Sequence, residues 1–105
     1  MLFSRKIAFI GTGNMGTALL GGLLKAELTH PENIIATDVR EYQLDAVREK
    51  WGVATTTNNH EAVKTSDVIV LCVKPQALRD VLNGIKDDLR EDQLIISIIA
   101  GIPTR

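Results

Sequence analysis

The sequence is poor in the side chains that carry covalent and metal chemistry: of 105 residues, one is cysteine and two are histidine. Cys72 cannot close an internal disulfide, which agrees with a reducing compartment. His60-Glu61 open like a helical zinc-protease motif, but Lys64 stands where the second histidine is needed, so no metal site is expected. His30, just before Pro31, reads as a loop residue. No sign of charge dominates: 12 Lys and Arg against 13 Asp and Glu give a formal net charge of -1, and the cations are scattered rather than blocked. With aromatics at 4%, this argues against a nucleic-acid partner. No apolar run approaches the roughly 18 residues a membrane span requires. Arg5 and Lys6 lead into a strand and glycines rather than an apolar segment with a cleavage site, so a cytoplasmic location is the default expectation. Hydrophobic residues make up 45% of the chain, enough for one modest core, and residues 1–105 are expected to form one domain.

Against these absences stands Lys6-Ile7-Ala8-Phe9-Ile10-Gly11-Thr12-Gly13-Asn14-Met15-Gly16, an apolar run that drops into G-x-G-x-x-G and then into an amphipathic helical pattern. A strand that turns sharply into a helix beneath a pyrophosphate leaves no room for side chains at the points of approach. Gly11 would make the turn, Gly13 would let phosphate near the backbone, and Gly16 would let helix and strand pack. The free N–H groups of the first helical turn, those of Asn14 and Met15 among them, would face the phosphates together with the positive end of the helix dipole.

Apolar segments then alternate between strand-like and helix-like periods. Strands are expected at about Lys6 to Ile10, Ile34 to Thr37, Val53 to Thr55, Val68 to Val73 and Leu94 to Ala100. The first helix would place Met15, Ala18, Leu19, Leu23 and Leu24 near one face, with Gly21 and Gly22 allowing close packing; His30-Pro31 stops it. Leu44, Val47 and Trp51 mark a second helix that Gly52 caps. Asn58 or Asn59 caps a brief third helix ending near Thr65. Ser66-Asp67 read as a polar turn. Leu78, Val81, Leu82, Ile85 and Leu89 mark a fourth helical face, read as core. The architecture is an α/β fold, a Rossmann-like doubly wound parallel sheet of strand order 3-2-1-4-5. A full dinucleotide fold carries a sixth strand, so this chain is expected to be a cofactor domain or the N-terminal piece of a longer enzyme, with an exposed fifth-strand edge.

Three segments reach the carboxyl ends of the strands at the switch point: the glycine loop, Asp38-Val39-Arg40 after strand two, and Cys72-Val73-Lys74-Pro75-Gln76 after strand four. Asp38 lies 22 positions beyond Gly16, where an acid accepts hydrogen bonds from the ribose hydroxyls of NAD. Arg40 could instead pair with the 2'-phosphate of NADP. Asp38 could also simply cap the next helix, and Arg40 could be a solvated surface charge. Cys72 is expected to be a small core hydrophobe in a buried strand, with its backbone beside the ligand. Pro75 holds Lys74 extended, beside the cofactor or facing solvent.

Phe9-Ile10-Gly11-Thr12-Gly13-Asn14-Met15-Gly16, Val73-Lys74-Pro75-Gln76 and Ser97-Ile98-Ile99-Ala100-Gly101-Ile102 together resemble the N-terminal domain of pyrroline-5-carboxylate reductases, over essentially the whole chain. The V-K-P-Q segment is more specific than the glycine loop, which related dehydrogenases share. The resemblance implies NAD(P)H-dependent reduction of the cyclic imino acid 1-pyrroline-5-carboxylate to proline. It implies that Ile10 to Gly16 bind pyrophosphate, that the Asp38 to Arg40 turn meets the adenosine ribose, and that Asn59 contacts that end. Cys72 to Gln76 would run beside the nicotinamide half, with Ala100 and Gly101 close by. Many NADPH-preferring members carry a small hydroxyl residue where this chain has Asp38, so the cofactor is NADP(H) or NAD(H). In the family the substrate lies between this domain and a C-terminal helical domain that also makes the dimer. A homo-oligomer is therefore expected of the full-length enzyme, and little turnover of this chain alone; no catalytic residue is assigned. Hydride transfer asks the protein mainly for positioning and exclusion of water, so scarce acid-base side chains are no objection. Two alternatives remain: a non-catalytic NAD(P)-binding module, and a reductase or dehydrogenase of the same superfamily acting on another small acid.

Overall fold

The computed structural model describes residues 5–98. Five parallel strands, β1 (Ile7–Ile10), β2 (Ile34–Thr37), β3 (Ala54–Thr56), β4 (Val68–Leu71) and β5 (Leu94–Ser97), form one sheet of order β3-β2-β1-β4-β5. Among the described residues four α-helices connect them: α1 (Asn14–Lys25), α2 (Glu41–Trp51), α3 (Asn59–Lys64) and α4 (Pro75–Ile85). The expected strand order and the alternation of elements are thus present.

Side chains of a strand alternate between its two faces, and β1 divides accordingly. Ile7 and Phe9 join Leu20, Ile34, Ala36, Val47, Val53, Val68 and Val70 in one core, against which Leu19, Leu23, Leu24 and Trp51 of α1 and α2 pack. Ala8 and Ile10 join Ala62, Val63, Ile69, Leu71 and Ile85 in the other, with Leu78, Val81 and Leu82 of α4 and with Leu89. Each face therefore carries two helices, the condition under which strands such as β1 and β4 are buried along their whole length. No helix among the described residues is long and apolar enough to cross a membrane.

The expected face of the first helix holds in part: Leu19, Leu23 and Leu24 pack against the core. Leu20 is fully buried, whereas Ala18 is exposed and Met15 is 41% exposed. Gly16 must face the sheet, because a Cβ there would lie 2.8 Å from the Gly11 carbonyl oxygen and 3.1 Å from the Cys72 Cβ. The residue four further on shares that face, and Ala18, two on, does not. Only one glycine of the expected pair is a packing device: a Cβ at Gly21 would meet the Trp51 indole at 2.5 Å, while one at Gly22 would meet nothing. Gly52 ends α2 in the left-handed region at φ 71°, as its cap. Asn58, not Asn59, caps α3 by accepting from the Glu61 N–H.

Two strand ends also shift. β4 ends at Leu71, so Cys72 is half-buried in the following turn rather than inside a strand, although its N–H still donates to the Ile10 carbonyl at 2.9 Å. β3 begins at Ala54 and reaches Thr56. β5 lies at the sheet edge with Leu94, Ile95 and Ile96 all exposed, matching the exposure expected there. Residues 99–105 lie outside the described residues, so the expected continuation of strand five through Ile99 and Ala100 is not described.

Candidate functional site

Strand register brings the site together. Ile10 is level with Thr37 of β2 and with Leu71 of β4, and Thr37 is level with Thr56 of β3. The residues that follow, Gly11, Asp38, Thr57 and Cys72, consequently emerge along one edge of the sheet. That edge contains the switch point between β1 and its two neighbours, where open α/β sheets bind ligands.

Within the loop the three glycines have different causes. Gly11 has φ 90°, and a Cβ there would lie 2.9 Å from Val73 Cγ1 and 3.0 Å from the Cys72 carbonyl oxygen. Its N–H donates to the Thr37 carbonyl at 3.0 Å, which anchors the turn. Gly16 is required by the packing already described. Gly13 is different: its φ of -69° suits any residue, and a Cβ there would meet no protein atom within 4 Å. The protein does not need glycine at that point, whereas an approaching phosphate would.

Helix α1 leaves its N-terminal N–H groups available in the way an anion site needs. Gly13 is the N-cap, no side chain caps the helix, and its first turn holds no acidic residue. The N–H groups of Asn14, Met15 and Gly16 have no intrahelical carbonyl to bond. Helix α4 starts at the same edge, after Lys74 at φ -66° and ψ 151°, also without a side-chain cap or a first-turn acid. Lys74, Pro75 and Gln76 are exposed at its start. The capped α3 shows that this is not general to the chain.

Beside the loop lies a cleft of about 200 Å³. Ile10 and Gly11 of the loop, Asp38 and Val39 after β2, Thr57 and Asn59 after β3, and Val73, Ala77 and Val81 after β4 line it. Pockets that enclose whole drug-sized ligands measure roughly 300–1,000 Å³, so this one suits one end of a dinucleotide, a base with part of its ribose. A broader groove between the start of α3 and α4, lined by His60, Asp80 and Gly84, shares Thr57, Asn59 and Val81 with it.

Asp38 is held by more partners than its position in the sequence suggests. Its side chain is 6% exposed. Oδ1 accepts the Arg40 N–H at 2.9 Å and Arg40 Nε at 2.8 Å; Oδ2 accepts Arg40 Nη2 at 2.9 Å, the Thr12 N–H at 3.1 Å and Thr12 Oγ1 at 3.2 Å. Burial pushes its carboxyl up, but the hydrogen bonds of Arg40 and Thr12 outweigh burial and hold it well below the usual carboxylate range. The same pair, assisted by Tyr42, raises Arg40. The two residues set against each other in sequence are bonded to each other.

Thr12 is fully buried, and both its donors are spent on Asp38. Its carbonyl accepts Thr17 Oγ1 at 3.0 Å and Gln43 Nε2. Thr17 and Gln43 were not anticipated, nor were Thr57, Ala77 and Val81. The helical spacing of Ala77 and Val81 after Pro75 was a usable signal for the last two. Burial pushes the Cys72 thiol up to about 11, so it stays protonated near neutrality. His60 Nδ1 lies against the Asp88 carboxylate, and no cluster of three or more metal-ligating side chains occurs among the described residues. Ala100 and Gly101, expected near the nicotinamide, lie outside the described residues.

Comparison with known proteins adds to this geometry. The family model described as NADP oxidoreductase coenzyme F420-dependent matches residues 6–101. Over 100 residues the chain is 45% identical to the pyrroline-5-carboxylate reductase of Methanosarcina acetivorans, covering 95% of this chain and 37% of that protein. The structure of a pyrroline-5-carboxylate reductase from Coxiella burnetii superposes with a TM-score of 0.86 at 37% identity, over 93% of this chain and 36% of that one. That of Plasmodium falciparum pyrroline carboxylate reductase with NADP bound superposes with a TM-score of 0.80 at 30% identity, over 94% and 35%. The chain spans little more than a third of the length of these relatives.

Proposed function

The chain belongs to the coenzyme F420-dependent NADP oxidoreductase family, and from that membership we propose that it is the cofactor-binding portion of a pyrroline-5-carboxylate reductase, acting on a C=N bond. The observation that carries the dinucleotide half is Gly13, a glycine that no protein atom requires, at the uncapped start of a helix on the switch edge. The substrate half rests on the 45% identity to a reductase of that name and on V-K-P-Q after β4. The alternatives, a binding module without catalysis and a reductase of another small acid, lack those two supports.

NADP(H) or NAD(H) bound here would supply a hydride to the imine carbon of a small cyclic substrate. In this reading the N–H groups of Gly13 to Gly16 take the pyrophosphate and compensate its charge through the α1 dipole. Ile10, Val39, Ala77 and Val81 give the adenosine end an apolar seat, with Asn59 beside them. The Asp38 to Arg40 turn borders the ribose. Cys72 to Gln76 border the nicotinamide half, and the neutral thiol of Cys72 keeps charge out of that wall. No proton donor is assigned to a residue of this chain, and a homo-oligomer is expected of the complete enzyme.

Calorimetric titration with NADPH and NADH tests the first half: saturable binding of at least one is expected, and binding of neither refutes it. For the second, this chain would replace the matching residues of the Methanosarcina acetivorans relative. NADPH consumption that starts only on addition of 1-pyrroline-5-carboxylate is expected; a folded, NADPH-binding chimaera that never consumes it would sink the assignment.

A further inference from the structure

An acid some twenty residues beyond a glycine loop ordinarily marks an NAD site, because its carboxylate accepts the ribose hydroxyls. Here that acceptor is already committed. A carboxylate offers about four lone-pair sites, and five donors from Thr12 and Arg40 lie within 3.2 Å of the two Asp38 oxygens. The Thr12 donors cannot withdraw, because Thr12 is buried and its carbonyl is tied to Thr17 and to Gln43 of α2. The Arg40 backbone N–H is fixed by the chain. Only the Arg40 side chain can leave, and it holds both oxygens in a forked pair with its guanidinium 5.9 Å from the Tyr42 ring.

The two nucleotides make opposite demands on this arrangement. Seating a free 2'-hydroxyl on Asp38 requires the fork to open, exchanging two charge-assisted hydrogen bonds for hydroxyl ones. A 2'-phosphate needs a cation instead. Arg40 is 43% exposed and has five N–H donors, of which Nε and one at Nη2 are spent on Asp38, so the outer edge of the guanidinium can serve the phosphate with the fork closed.

We propose that Asp38 is a strut rather than a ribose acceptor, and that Arg40, latched on it, makes the site select a 2'-phosphorylated dinucleotide over its unphosphorylated counterpart. Arg40 is the specificity determinant; Asp38, Thr12 and Gln43 are positioning residues. The inference rests on the dinucleotide reading above and deepens it.

The test is calorimetric titration of the wild-type chain, Arg40→Ala and Arg40→Lys with NADPH and with NADH. The wild type is expected to bind NADPH at least tenfold more tightly. Arg40→Ala should erase that preference in a particular way, weakening NADPH while strengthening NADH, because the freed carboxylate can then accept ribose hydroxyls. A merely structural role for Arg40 would weaken both nucleotides alike. Arg40→Lys keeps the cation but loses the fork, and an intermediate preference is expected; it decides the matter if the alanine variant does not fold. Equal binding of the two nucleotides by the wild type, a preference for NADH, or parallel losses in the variants would overturn the latch while leaving the dinucleotide site standing. Binding of neither nucleotide by the folded wild type would overturn both.

Discussion

Replacing Gly13 by alanine should separate ligand binding from folding, because the two have different claims on the three loop glycines. At Gly13 the new methyl meets nothing within 4 Å and φ is -69°. Alanine is a poorer N-cap than glycine by about 0.5 kcal/mol, but it restricts the unfolded chain, which returns about 0.4–1 kcal/mol. The net change in stability should stay within about 0.5 kcal/mol of zero. Gly11→Ala is the contrast. A left-handed residue costs about 1–2 kcal/mol, and a methyl 2.9 Å from Val73 Cγ1 and 3.0 Å from a carbonyl oxygen adds about 1–3 kcal/mol of overpacking. After the same unfolded-state return, a loss of about 2–4 kcal/mol is expected. Gly16→Ala, pressed against the Gly11 carbonyl at 2.8 Å, should lose about 1–3 kcal/mol. Urea unfolding followed by the fluorescence of the single tryptophan, Trp51, reads all three. Calorimetry with NADPH then reads binding on the folded variants. Gly13→Ala should retain its unfolding midpoint and lose at least tenfold in affinity, since its methyl fills the space left for phosphate; a tenfold loss corresponds to about 1.4 kcal/mol. A folded Gly13→Ala that binds NADPH as the wild type does would remove the loop as the phosphate site. A Gly13→Ala that unfolds as readily as Gly11→Ala would show that the open space is not open.

Two further outcomes follow from the titrating groups. Folded Asp38 gives up its proton far more readily than an unfolded aspartate, so its stabilisation is complete above about pH 4 and is lost as the pH falls below that value. The stability difference between wild type and Asp38→Asn, measured by urea unfolding, should therefore be constant from pH 7 to 5 and shrink on further acidification; a difference that widens at low pH would contradict the bonding described. Cys72, pushed up to about 11 by burial, should react with iodoacetamide at pH 8 far more slowly than in urea-unfolded chain, and faster as the pH rises toward 11. Alkylation at the unfolded rate at pH 8 would refute the buried, protonated thiol.

Much of this fold was legible because the relevant forces are periodic or local. β1 and β4 are short apolar runs between turn signals, Gly52 and Asn58 are caps with a local mechanism, and Pro75 marks the first turn of α4. The burial of Leu20 on α1 has a sequence signal too, since a Gly16 that must touch the sheet brings the residue four further on with it. The end of β4 was not legible, because an apolar run continues past the point where the chain leaves the ladder: Cys72 still packs against the core, and Val73 lines the cleft beside Gly11.

The pairing of Asp38 with Arg40 lies beyond sequence reading for a different reason. The two stand on a turn with extended backbone at Arg40, where no period says which way a side chain points, and Thr12 is 26 residues away. Residue type and spacing place the acid at the carboxyl ends of the strands, where it is found, but whether it can serve a ligand depends on how many of its lone pairs the protein has already used. The glycines obey the same rule. Gly11 and Gly16 are spent on the protein's own backbone, so their presence speaks for a strand-to-helix turn; Gly13 is spent on nothing internal, so it alone among the three speaks for a ligand. In the function proposed here, ligand binding at this edge rests on what the fold leaves unused: the space at Gly13, the uncapped N–H groups of α1, and the outer face of Arg40.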